Sequence, residues 1–195
     1  MGGEVARALR SAVEKCGLCR CVDKPVVKYR AYEKWLPDRV RVLAVTESPP
    51  PSTSSSFFYN LATFDRLRLS LKTILGVRDM DDYEFLRLLR DKGVFITNAV
   101  KCRPLSRREI PAMRRRCTWV LKRELELLKP ERIIAMGKTA SASLSEVLNV
   151  RITEKVVYTL SYRLGGVELV VAPHPNYVFR FRRDLAGLVR AYLTC

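Results

Sequence analysis

Four of the six cysteines have the distribution that a tetrathiolate metal site needs. Cys16 and Cys19 form a CxxC clip near the N-terminus, and Cys102 and Cys117 follow far downstream. Thiolates so arranged hold zinc or an iron–sulfur cluster, and spacing alone does not choose between the two. Two other assignments stay open: Cys117 also falls on an apolar helical stripe, which suits a buried free thiol, and Cys21 can stand in for Cys19. Cys102 lies in Ile96-Thr97-Asn98-Ala99-Val100-Lys101-Cys102-Arg103-Pro104, so a metal ligand stands close to Asn98, a polar residue within a run that reads as a buried strand.

Three polar residues outside the cysteines are also placed for chemistry. Glu47 follows a compact apolar run, Asn98 falls near the end of the second, and His174, the one histidine of the chain, follows the last. In open α/β sheets, ligands bind beyond the carboxyl ends of the strands. That rule puts Glu47, Asn98 and His174 on one rim. Taken singly, each has an ordinary reading: a solvated carboxylate, an asparagine bonding its own backbone, a histidine in a rigid Pro-His-Pro turn.

The elements that must position these residues alternate. Helices are expected over 4–15, 59–75, 81–91, 107–128, 138–148 and 176–193. Strands are expected over 40–45, 94–100 and 132–136, with a hairpin of 155–162 and 167–172 around Gly165-Gly166 whose second arm can instead be a fourth parallel strand. Residues 49–56 form a Pro/Ser loop. Alternation of this kind predicts an α/β protein, a three-layer α/β/α sandwich around a central, mostly parallel four-stranded sheet. The reading is one domain over 1–195, with an N-terminal metal-binding segment over residues 1–36.

The formal net charge is +16, with the arginines clustered at Arg107/Arg108, Arg114-Arg115-Arg116 and Arg180/Arg182/Arg183. That balance suits a polyanion, because neutralising phosphates releases condensed counterions; a charge-rich, heat-adapted surface is the competing explanation. No apolar run approaches the ~20 residues that cross a bilayer, and no signal-peptide pattern opens the chain. A cytoplasmic, monomeric, DNA-directed protein with no membrane partner is expected. Cysteines in such a setting bind metal more readily than they form disulfides.

Taken together, the segments resemble the uracil-DNA glycosylase superfamily, and within it the iron–sulfur family-4 type. Similar proteins carry Gly-Glu-Ala-Pro-Gly, Asn-Val-Val-Lys-Cys-Arg-Pro and His-Pro-Ser segments. Here these stand as Thr46-Glu47-Ser48-Pro49-Pro50, Asn98-Ala99-Val100-Lys101-Cys102-Arg103-Pro104 and His174-Pro175-Asn176. Cys117, the stretch Glu124 to Pro130 and Ile133 to Ala140 extend the likeness. The first loop departs most, with a proline and serine run in place of glycines, and Asn176 replaces a serine.

The resemblance implies a [4Fe–4S] cluster on Cys16, Cys19, Cys102 and Cys117, with zinc as the alternative. It implies DNA containing uracil or other deaminated bases as substrate, and a monofunctional glycosylase of base-excision repair. A base must leave the stack to be read in a pocket. Asn98 would then offer uracil a donor for O4 and an acceptor for N3–H, and Phe58 would stack the flipped ring, unless it packs in the core beside Phe57. Glu47 would face the cationic sugar, and His174 would donate to uracil O2. Tyr177 would fill the gap in the duplex, while Arg180, Arg182 and Arg183, with the backbone N–H groups opening the last helix, would hold phosphates. A second reading keeps the fold and metal without catalysis, as a nucleic-acid-binding or repair-partner protein.

Overall fold

The computed structural model describes residues 2–51, 55–152, 160–164 and 166–194. Strands β1 (Val42–Thr46), β2 (Val94–Asn98), β3 (Arg132–Met136), β4 (Leu160–Leu164) and β5 (Val167–Ala172) form one sheet in the order β2-β1-β3-β5-β4. Four of them run parallel, and β4 pairs antiparallel with β5 at one edge. The parallel four-stranded core is the one expected, with 167–172 as its fourth strand; residues 155–159 of the expected hairpin lie outside the described ones. β1 and the centre of each parallel neighbour are buried, as strands covered on both faces must be.

Helices α1 (Gly2–Lys15), α2 (Pro25–Lys28), α3 (Ala31–Trp35), α4 (Arg66–Leu75), α5 (Asp82–Asp91), α6 (Ile110–Leu128), α7 (Lys138–Leu148), α8 (Pro175–Phe181) and α9 (Ala186–Leu193) cover the sheet. They pack as two groups, α4 with α8 and α9, and α6 with α1 and α7. This is the three-layer α/β/α arrangement. No helix among the described residues is long and apolar enough to cross a membrane.

Local chemistry sets the boundaries. A 3-10 turn at Arg107–Glu109 opens α6 with a capping box, in which Ser106 and Glu109 satisfy each other's backbone N–H groups. α4 starts seven residues later than the 59–75 expectation. Its N-cap is Asp65, whose carboxylate accepts from Arg68 N at 2.9 Å. The residues before it are pinned in a non-helical path by the buried Arg68 guanidinium, which donates to the carbonyls of Phe58, Asn60 and Thr63.

Tyr59 serves the sheet instead of a helix. Its hydroxyl donates to Ile96 O at 2.9 Å and accepts from Ile96 N at 3.0 Å, so it occupies the ladder groups of edge strand β2. The expected closing helix 176–193 is broken at Arg182, which leaves helical backbone (φ −139°, ψ 55°) and turns its guanidinium onto Asp184.

Candidate active site

The carboxyl ends of β1, β2, β3 and β5 open on a cavity of about 450 Å³, within the usual size of small-ligand sites. Glu47, Asn98 and His174 all line it, as the strand-end rule anticipated. Thr46 and Asn98 are register partners on adjacent parallel strands. Gly137, just past β3, has φ +92°, and a Cβ placed there would stand 3.3 Å from His174 Cβ. A side chain at 137 would therefore be strained and would push against the histidine.

Glu47 is held by a hydroxyl. Thr139 Oγ1, in the first turn of α7, donates to Glu47 Oε2 at 2.6 Å, and the exposed Arg107 lies 3.9 Å from Oε1. Asn98 is fixed at both ends. Its Nδ2 donates to Thr46 Oγ1 at 2.7 Å, and Lys101 Nζ donates to its backbone carbonyl at 2.5 Å.

Burial holds the His174 imidazole below its usual titration range, more strongly than Glu47 and Asp65 raise it, so the ring is neutral at pH 7. Its Nδ1 accepts from Asn176 N at 3.2 Å. The ring proton therefore resides on Nε2, where it is available as a donor. Asn176 itself accepts from Ser70 Oγ of α4 at 2.9 Å through Oδ1.

Phe58 lines the cavity, and so does Phe57. Both are also core residues. Phe58 stands edge-on to Tyr59 and Phe85, with centroids 5.0 and 6.5 Å away, while Phe57 stacks on Tyr29 at 5.7 Å. The core and pocket readings of Phe58 are thus compatible.

On α8, Tyr177 is exposed and packs on the exposed Phe181, over which Arg180 lies. Val178 is buried. Arg183 lies over Phe179, and Arg182 is engaged by Asp184. One expectation is overturned. The N–H groups opening this helix are not free for phosphate: Asn176 N bonds the His174 ring, Tyr177 N and Val178 N bond His174 O, and Pro175 has none.

The cysteines gather beneath this rim. Cys102 packs with Val100, Ile110 and Met113, and Cys19 and Cys21 pack against that cluster. Cys102 also senses the Cys21, Cys117 and Cys19 thiols, and Cys117 senses Cys16. Burial drives the Cys102 thiol far above its ordinary range and pushes Cys117 up to about 11, and Lys101 N donates to Cys117 Sγ at 3.4 Å. Among the described residues, however, no three His, Cys, Asp or Glu side chains close into a group for a metal ion. The donor chemistry fits a thiophilic group, and thiols of the N-terminal segment lie near Cys102 and Cys117, but they are not drawn around a centre. Cys21 stands as a fifth thiol within the nest.

Several residues of the site escaped the sequence reading. Thr46 and Thr139 position the polar groups, and Lys101, paired with Glu124, underpins Asn98. Thr139 carried a usable signal, since it follows Gly137 at the end of β3, on the rim that the strand-end rule defines.

This combination defines an α/β domain with a polar pocket at the strand ends and a cluster of thiols beside it. Residues 33–193 match the family model of the uracil DNA glycosylase superfamily, and the chain belongs to that superfamily. The type-4 uracil-DNA glycosylase of Pyrobaculum aerophilum is 31% identical over 200 residues, spanning 91% of this chain and 90% of that protein. The type-4 uracil-DNA glycosylase of Thermotoga maritima is 34% identical over 103 residues, 50% of this chain and 53% of the relative's length.

Proposed function

We propose that this chain is a monofunctional DNA glycosylase of base-excision repair that hydrolyses the N-glycosidic bond of uracil in DNA, with other deaminated bases as further substrates. The observation that carries the reading is the meeting of Glu47, Asn98 and a neutral His174 in one cavity. The +16 charge supports DNA as the partner, and the names of both relatives support uracil as the base. The enzyme acts as an intracellular monomer.

Uracil turned into the cavity meets the Asn98 carboxamide, which accepts from N3–H and donates to O4. As the C1′–N1 bond breaks, its electron pair passes to the base, and charge collects on O2. His174 Nε2–H donates to that oxygen and keeps its proton. Glu47, oriented by Thr139, faces the cationic C1′ and takes the proton of the water whose oxygen adds there. Phe58 contributes to the wall against which the ring lies. Tyr177 enters the gap in the duplex, and Arg180, Arg182 and Arg183 contact phosphates, Arg182 by exchanging Asp184 for the backbone.

Cys16, Cys19, Cys102 and Cys117 hold a [4Fe–4S] cluster in preference to zinc; when bound, the cluster supplies a cross-link between the N-terminal segment and α6. The packing of Cys19 against the Cys102 cluster, and the proximity of Cys117 to both Cys102 and Cys16, support the assignment. Anaerobically purified protein should absorb broadly near roughly 400 nm, and a zinc stoichiometry without that band would overturn it.

Uracil-containing single- and double-stranded oligonucleotides, treated with the protein and then with alkali, test the activity. Strand scission is expected, reduced strongly by Asn98→Asp and by Glu47→Ala. Intact strands across uracil, hypoxanthine and xanthine substrates would leave the non-catalytic reading.

A further inference from the structure

Thr46 ends β1 with 1% of its surface exposed, and it lines the cavity beside its register partner Asn98. Its hydroxyl has one proton, and that proton is committed: Thr46 Oγ1 donates to Thr97 O at 3.1 Å. Toward Asn98, 2.7 Å away, the same oxygen can only accept. The group facing it must then be Nδ2. Turning the amide over would oppose two acceptors, or would require the hydroxyl to abandon Thr97. Carboxamide orientation is ordinarily inferred from its surroundings, and these surroundings admit one orientation.

We propose that Thr46 is the specificity-determining positioning residue of the pocket, its hydroxyl locking the Asn98 amide in the orientation that matches uracil and mismatches cytosine. The inference rests on Asn98 reading the base, as proposed above. In the locked orientation Oδ1 and the second Nδ2 hydrogen remain for the ligand. They complement the N3–H donor and O4 acceptor of uracil. The inverted amide would instead offer its donor to ring N3 and its acceptor to the C4 substituent. That pattern suits cytosine, whose N3 accepts and whose N4 amino group donates.

The backbone is already immobile at this point, because Lys101 Nζ holds Asn98 O at 2.5 Å. The remaining freedom that matters to base choice is the amide turn, and Thr46 removes it. In the loop that Thr46-Glu47-Ser48-Pro49-Pro50 resembles, a glycine stands at this place and has no hydroxyl to give. The lock is a property of this chain.

The test separates orientation from stability. Oligonucleotides carrying 2′-fluoro-2′-deoxyuridine or 2′-fluoro-2′-deoxycytidine, whose glycosidic bonds resist hydrolysis, are titrated onto the wild type, Thr46→Val, Thr46→Ser and Asn98→Ala. Thr46→Val keeps the shape and removes the hydroxyl, and Thr46→Ser restores it. The preference for uracil over cytosine should fall about tenfold or more in Thr46→Val, the weight of about one buried hydrogen bond, and stay within about twofold of wild type in Thr46→Ser. A purely structural role would lower the melting temperature without moving this ratio. An unchanged ratio in Thr46→Val, or a serine variant as impaired as the valine one, overturns the proposal. If Asn98→Ala discriminates like the wild type, Asn98 does not read the base and the underlying reading falls as well. If Asn98→Ala loses discrimination while Thr46→Val keeps it, the lock alone is refuted.

Discussion

Lys101 and Glu124 form an ion pair whose side chains are 2% and 0% exposed, directly behind Asn98. Lys101 Nζ donates to Thr97 Oγ1 at 2.7 Å, to Asn98 O at 2.5 Å and to Glu124 Oε2 at 2.5 Å. The other carboxylate oxygen accepts from Tyr32 at 2.6 Å and from Thr97 at 2.9 Å. Lys101→Met strands a carboxylate in the core, at a cost of about 3–5 kcal/mol. The lost bond at Asn98 O adds about 1 kcal/mol. A domain of this size loses ~2–4 °C of melting temperature per kcal/mol, so the variant should melt roughly 8–24 °C lower. Lys101→Met/Glu124→Gln removes both charges but leaves an acceptor for Tyr32 and Thr97, and it should recover to within about 2 kcal/mol of wild type. Thermal and urea unfolding of the wild type, both single variants and the double variant give the coupling energy directly. The reasoning is refuted if Lys101→Met melts within about 3 °C of wild type, or if the double variant is no more stable than Lys101→Met.

Thr139→Val should lower kcat on uracil-containing DNA about tenfold by freeing Glu47, while Thr139→Ser retains activity; equal rates for all three proteins would remove Thr139 from the site. His174 titrates below its usual 6.5 because it is buried, so the unfolded chain takes up a proton first as the pH falls. Stability should therefore be level above pH ~6.5 and decline from there toward the lowered folded value. The melting temperature of wild type minus that of His174→Gln, followed from pH 8 to 5, should show this decline, and a flat difference would contradict the desolvated, neutral ring.

How much of this was legible in the sequence depended on range. The rim was legible because the strand-end rule needs only the order of strands, and Glu47, Asn98 and His174 each close an apolar run. The four parallel strands were legible for the same reason, as short apolar runs between helical patterns. Thr46 and Thr139 were not, since a hydroxyl beside a strand end is common and its value lies in which partner takes its proton. Arg68, Lys101 and Glu124 look like surface charges in sequence; only long-range folding makes them buried anchors. The expected helix over 59–65 failed because Arg68 claims the carbonyls that a helix would use.

The segment Lys101-Cys102-Arg103 then explains how a thiol nest bears on a pocket whose reaction transfers no electrons. Lys101 turns to Asn98 and Glu124, and Cys102 turns into the nest. Arg103, 1% exposed, donates to Asp23 at 2.9 Å, to Pro50 O at 2.7 Å and to Ser56 O at 3.2 Å. Its backbone also bonds Val22 N and Asp23 O, joining it to the chain that follows Cys21. Three consecutive residues thus brace Asn98, the thiols and the loop that carries Glu47 into Pro49-Pro50-Pro51. A cross-link through the thiols would fix the middle of this brace, and with it both walls of the cavity. Its contribution to catalysis is then one of position, which predicts that damage at the nest reaches Asn98 and the first loop together.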